Sequence, residues 1–162
     1  MSEPVRVLFV CHANVCRSPL AEGVFRHLVA RAGREADFRI DSAGTFAMEG
    51  APPHPHSVQV AAEHGIRLEG QSRQLVRHDL TRFDHVLVMD RNNLSELQQL
   101  AAPSAFGPLE GYHARIRMLA AAGTTDSLGP SIKDPIGRGV ESYRETYDDV
   151  YAACSRLLAE FS

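Results

Sequence analysis

Residues 5–10 read Val-Arg-Val-Leu-Phe-Val, a short, β-branched and almost continuously apolar run, and that pattern predicts a strand buried on both faces of a parallel sheet. After a polar, cysteine-bearing turn at residues 11–17, Leu20, Val24, Phe25 and Leu28 recur at helical spacing. Ser18-Pro19 marks the expected helix start, with Ser18 as N-cap and Pro19 at the first helical position. This helix runs to about residue 31, and Gly33 closes it. A second strand is expected at residues 38–41. Residues 42–55 carry Gly44, Gly50, Pro52, Pro53 and Pro55 and read as a loop, longer than most connections and therefore a candidate for function. A helix is expected at residues 56–64, stopped by Gly65, then a strand at 85–89 and a helix from Asn92 or Asn93 to about residue 100. A fourth strand is expected at residues 115–119, followed by a Gly- and Pro-rich loop over 123–140. In the last segment Tyr143, Tyr147, Val150, Cys154, Leu157, Leu158 and Phe161 keep the 3-and-4 spacing of one buried helix face. Strands alternating with helices, with no repeat, low-complexity tract or linker, predict one doubly wound α/β domain over residues 1–162.

Composition narrows the function classes. The chain has 162 residues and is 44% hydrophobic, which suits one domain with a sizeable core. Seventeen basic against twenty acidic side chains leave a net charge of −3, so nothing in the bulk charge favours nucleic acid or an anionic membrane as partner. The longest apolar run of the N-terminal half, residues 7–11, is far short of the about 20 residues of a membrane span and is wrongly flanked for a secretory signal. Three cysteines, two of them five positions apart, make no disulfide framework and point to a reducing cytoplasm. Lys133 is the only lysine, and with the abundance of alanine this suggests a GC-rich bacterial genome.

Residues 10–18, Val-Cys-His-Ala-Asn-Val-Cys-Arg-Ser, concentrate the chemistry. Cys11 ends a buried strand, where ligands of open α/β sheets gather. The loop after it feeds a helix N-terminus, whose free N–H groups and positive dipole end attract anions. Arg17, six residues past Cys11, can curl back with a planar fork that grips two phosphate oxygens. Together these make a cradle for a tetrahedral dianion over a nucleophile, and the positive surroundings favour thiolate over thiol. Ser18 either donates its hydroxyl to that sulfur or caps the helix, and the two roles are compatible. Cys11, His12 and Cys16 match no zinc spacing, and no metal or cofactor is expected.

The segment resembles the N-terminal signature of the low-molecular-weight protein tyrosine phosphatases, a strand followed by C-x5-R-S and P-x-A-E. Cys11, Arg17, Ser18, Pro19, Ala21 and Glu22 occupy those places, with the loop asparagine at Asn14 and the second loop cysteine at Cys16. The likeness continues through Asp41-Ser42-Ala43-Gly44-Thr45, Phe83-Asp84, Val88-Met89-Asp90 and Lys133-Asp134-Pro135. It implies a four-stranded parallel sheet flanked by helices, and a phosphorylated protein as substrate. It also implies roles: Cys11 as nucleophile forming a phosphocysteine, and Asp134 as general acid and then base. Arg17 and the backbone of His12, Ala13, Asn14, Val15, Cys16 and Ser18 would bind phosphate. Asn14, braced by Ser42, would hold the loop in left-handed geometry. Cys16 either packs or forms a reversible disulfide with Cys11. Cys154 reads as core, and His12, His54, His56, His64, His78, His85 and His113 as solvated or capping.

Three departures from the family pattern bear on the substrate. Ala13 replaces a loop glycine. Phe46-Ala47-Met48-Glu49 stands where an aromatic-bearing loop is usual, and Ile136-Gly137 replaces the aromatic pair after Asp-Pro. Phe46 and Ile136 are the candidate walls for a substrate ring. Phosphotyrosine hydrolysis is the leading expectation. Protein-arginine phosphatase is the alternative: Ile136-Gly137 favours it, and Val15, where such relatives carry threonine, opposes it. Arsenate reduction would need a cysteine relay that Cys154 alone does not supply, and a non-catalytic phosphate-binding module would have no use for Cys11 and Asp134.

Overall fold

A computed structural model of the chain describes residues 2–104 and 107–162. The first apolar run forms β1 (Val5–Cys11), followed by α1 (Arg17–Arg31), β2 (Phe38–Gly44), α2 (Pro55–Ala62) and the short α3 (Asp79–Arg82). β3 (His85–Val88), α4 (Arg91–Ala101), β4 (Arg115–Met118) and α5 (Val140–Ala159) complete the chain. The four strands are parallel in the order β2-β1-β3-β4. Alternate residues of β1 feed two cores: Val7, Phe9 and Cys11 pack with α1, α2 and α5, while Leu8 and Val10 pack with Leu80, Leu94 and Leu97 of α3 and α4. Helices on both faces explain why β1 is apolar without alternation, and they make the fold doubly wound as expected. The chain leaves β1 for β2 on one side and returns to β3 on the other, so the switch point lies at the carboxyl end of β1.

Several expected boundaries need correction. β1 takes in Cys11, so the nucleophile candidate is the last strand residue. β2 runs on through Ser42, Ala43 and Gly44 because each pairs with β1, up to Cys11 opposite Gly44, which shortens the expected loop. Ser18 is not the N-cap. Cys16 holds that place without a side-chain cap, and Pro19 falls at the third helical position, where the missing N–H still costs no intrahelical bond. α2 starts at Pro55, capped by His54, and ends before residue 64. α4 starts at Arg91 because the Asp90 carboxylate accepts the Asn93 N–H. β3 stops at Val88, and β4 stops at Met118, after which residues 119–121 tighten into a 3-10 turn. α3 was not expected at all. The face of α5 is as expected, with Tyr143, Tyr147, Val150, Cys154 and Leu157 buried. Gly33 and Gly65 follow their helices in left-handed geometry, at φ 69 and 74°.

Candidate active site

The loop of residues 12–16 joins β1 to the N-terminus of α1, and its carbonyls are held from outside. Thr45 and Phe46 donate backbone N–H groups to the carbonyls of Cys11 and His12 at 2.9 and 2.8 Å, and His54 donates to Val15 at 2.8 Å. The Ser57 hydroxyl donates to the Cys16 carbonyl at 3.3 Å. Among the described residues no backbone N–H of residues 12–16 donates to a protein acceptor. The loop therefore offers its donors to an anion, at the positive end of a 15-residue helix. The turn reaches this shape through Asn14, at φ 57°, the one non-glycine with positive φ among the described residues. Ala13 needs no left-handed backbone, so its Cβ in place of a glycine is accommodated there.

The hydrogen bonds around Asn14 form a chain that runs through Ser18 to the Cys11 sulfur. The Arg73 N–H donates to Asn14 Oδ1 at 2.9 Å, which assigns the amide. Asn14 Nδ2 then donates to Ser18 Oγ at 2.8 Å and Ser42 Oγ at 3.0 Å. Ser42 passes its own hydrogen to Glu22 Oε1 at 2.6 Å. Ser18, accepting from Asn14, has its own hydrogen available for Cys11 Sγ at 3.0 Å, where an ionised sulfur can only accept, or for Ala43 O at 3.4 Å.

Arg17 is buried, 3% exposed, and its fork is positioned by the turn between β3 and α4 and by the last loop. Nη1 donates to Asp90 Oδ2 at 2.8 Å and to the Ile132 carbonyl at 2.9 Å. Nη2 stands 3.7 Å from Asp134 Oδ2, an ion-pair distance too long for a hydrogen bond. Asp134 sits in a tight turn: its Oδ1 accepts the Ile136 N–H at 3.1 Å, Arg138 N–H closes on Pro135 O at 3.0 Å, and Gly137 takes φ 77°. That last angle explains a glycine after Ile136.

Cys11, His12, Ala13, Val15, Cys16, Arg17, Asp134 and Ile136 line one cleft of about 100 Å³. The structure therefore brings together the expected nucleophile, arginine and acid. Ile136, half exposed, lines the cleft. Phe46 does not: it stands outside, 76% exposed, stacked on His12 with ring centroids 5.7 Å apart. Cys16 is buried beside Tyr143, whose hydroxyl lies 3.4 Å from its sulfur, and burial pushes the Cys16 thiol up to about 11. Cys154 is in the core. The reading of those seven histidines as solvated or capping fails at His85, which is half buried, its pKa lowered by that burial; His64 stays exposed while one face stacks on Tyr147 at 3.9 Å. His54 caps α2 and also stacks on Tyr143 at 4.9 Å.

Sequence reading missed Asp90, Arg73, Tyr143 and the acceptor role of Glu22. Asp90 had a usable signal, an acid at the carboxyl end of the strand beside β1. Arg73, 59 residues from Asn14, had none.

Known proteins share this architecture. The family model for low molecular weight phosphotyrosine protein phosphatase matches residues 6–162. The Rattus norvegicus low molecular weight phosphotyrosine protein phosphatase is 34% identical over 153 residues, covering 94% of this chain and 92% of the relative. The crystal structure of YfkJ from Bacillus subtilis superposes with a TM-score of 0.80 at 32% identity, covering 99% of this chain and 96% of that one. The structure of a Drosophila arginine phosphatase superposes with a TM-score of 0.81 at 29% identity, covering 96% and 97%.

Proposed function

The chain belongs to the low molecular weight phosphotyrosine protein phosphatase family, whose members are cysteine-dependent phosphatases, and from that premise we propose that Cys11, Arg17 and Asp134 carry the reaction on phosphotyrosine. The convergence of these three side chains on one cleft at the N-terminus of α1 carries the reading. Cys11 Sγ attacks phosphorus in line and displaces the phenolate, forming phosphocysteine. Arg17 Nη2 and the loop N–H groups hold the equatorial oxygens as charge redistributes. Asp134, which also lines the cleft, protonates the leaving oxygen and then takes a proton from the water that hydrolyses the intermediate. Asp90 keeps the buried guanidinium oriented through both steps.

The substrate is a phosphorylated protein, and the side chains flanking the phosphate support an aryl group. Val15 and Ile136 present apolar surface beside Cys11. The likeness to an arginine phosphatase supports a second reading, phosphoarginine, but Val15 offers its guanidinium no polar partner. The described residues hold three free cysteines and no helix long and apolar enough to cross a membrane. With arginine in place of nearly all lysine, that supports a cytoplasmic, bacterial protein. The test is kcat/KM on matched phosphotyrosine and phosphoarginine peptides for the wild type and Cys11→Ser. The wild type should prefer phosphotyrosine, and the variant should lose turnover of both while still binding vanadate. Near-normal activity in Cys11→Ser would end the covalent mechanism, and a preference for phosphoarginine would move the substrate.

A further inference from the structure

We propose that Arg73 is a positioning residue for the cleft chemistry: by fixing the Asn14 amide from behind the loop, it aims the Ser18 hydroxyl at Cys11. The inference rests on Cys11 being the nucleophile and concerns what keeps its sulfur supplied with a donor. Asn14 could present either end of its amide to Ser18, since the two ends have the same shape. The Arg73 N–H decides which, because a flipped amide would set donor against donor there while leaving Ser18 without its 2.8 Å donor. Ser18 would then be free to turn its hydrogen toward other acceptors, and the 3.0 Å contact with Cys11 would no longer be directed.

The Arg73 backbone is itself held by its side chain. The guanidinium forms a fork onto Asp79, at 3.1 and 3.2 Å, and Nε reaches Asp41 Oδ2 at 3.1 Å. Asp79 is 1% exposed and also accepts the Val76 N–H at 2.9 Å, so it is an immobile anchor at the start of α3. The Asp41 carboxylate takes the N–H of Ser42, the second hydroxyl on Asn14. The Arg73 carbonyl accepts the Gly44 N–H at 3.0 Å. One side chain thus joins the start of α3, the end of β2 and the brace of the phosphate loop, without touching the cleft.

The decisive measurement is the rate of Cys11 alkylation by iodoacetamide against pH, on the full chain with Cys16 and Cys154 followed separately by mass spectrometry. It reads the sulfur directly and needs no phosphatase assay. Ser18→Ala should move the alkylation midpoint upward by about one pH unit, the scale of a lost hydrogen bond to a charged group. Arg73→Met should move it the same way by a smaller amount, and the double variant should match Ser18→Ala alone. The control is Arg77→Met, whose guanidinium instead holds the carbonyls of Leu100 and Ala102, and it should leave the midpoint in place. A purely structural Arg73 would lower the melting temperature without moving the midpoint, and that result would overturn the proposal, as would additive shifts in the double variant. If Arg73→Met does not fold, Arg73→Lys decides by the same criteria, since it keeps a cation on Asp79 while giving up the fork and the Asp41 contact. Activity surviving in Cys11→Ser is a different failure, that of the nucleophile itself.

Discussion

Asp134, the proposed general acid, owes its place to its surroundings more than to its own chemistry. Its carboxylate has one oxygen held by the Ile136 N–H and the other near Arg17 Nη2, so the turn sets its place on the cleft. Pro135 fixes the chain behind it, and the left-handed Gly137 lets the turn close. A general acid matters in proportion to how poorly the leaving group departs alone. Asp134→Ala is therefore expected to lower kcat roughly 10²–10⁴-fold on a phosphotyrosine peptide. With p-nitrophenyl phosphate, whose phenolate leaves readily, the loss should shrink severalfold. Equal losses in parallel assays of the two substrates would remove Asp134 from proton transfer.

At the scale of elements, the site depends on how closely β2 and the loop of residues 12–16 approach each other. Gly44 ends β2 opposite Cys11, and a Cβ there would lie 2.6 Å from the His12 carbonyl oxygen, 2.9 Å from Ala47 Cβ and 3.0 Å from the Ala13 carbonyl carbon. Those neighbours are backbone or pinned side chain, so they yield only if the loop moves. Gly44→Ala should destabilise the fold by about 1–3 kcal/mol in chemical denaturation. It should also raise the Ki of inorganic phosphate, a measurement that separates a distorted cradle from a merely weaker core. The Ser-Ala-Gly-Thr block was legible as a family match, but the reason for its glycine was not, because the tightest crowding comes from His12 and Ala13, in a loop far earlier in the chain. The same limit separates the other successes from the failures. β1, the α5 face and the Cys11–Arg17 spacing are written in local periodicity, which a single stretch displays. Ser18-Pro19 misled because its hydroxyl, a good local cap, is taken by Asn14 and Cys11. Asp90, Arg73 and Tyr143 reach the site from three distant elements, and no local pattern announces such meetings.

Across the whole molecule, a parallel sheet separates its two ends. All four strands deliver their carboxyl ends toward the cleft, while the amino ends of β1, β3 and β4 gather Arg6, Asp84, His85 and Arg115 at the opposite edge. His85 is half buried there against Phe161, and its Nδ1 has no partner among the described residues. Burial and then Arg117 hold its pKa below the ordinary 6.5, with Arg115 adding to this and Asp84 and Glu160 opposing it. The unfolded chain therefore takes a proton on His85 before the folded one does. The stability of the neutral ring is present above pH 6.5 and is lost as pH falls toward the folded value, by at most about 1.4 kcal/mol per pH unit. His113 has the opposite sign. The Gly111 carbonyl and Asp84 raise its pKa, so its contribution is complete below 6.5 and is lost only as pH rises through the folded value. Between pH 6.5 and 5 the His85 loss is therefore uncompensated, and His54, lowered by burial and His56, adds to it. The melting temperature of the wild type should fall across that window, and His85→Gln should flatten most of the fall while leaving the pH profile of kcat unchanged. An unaltered slope in the variant would place the acid sensitivity at the other end of the sheet, in His54, which caps α2 beside the loop of residues 12–16.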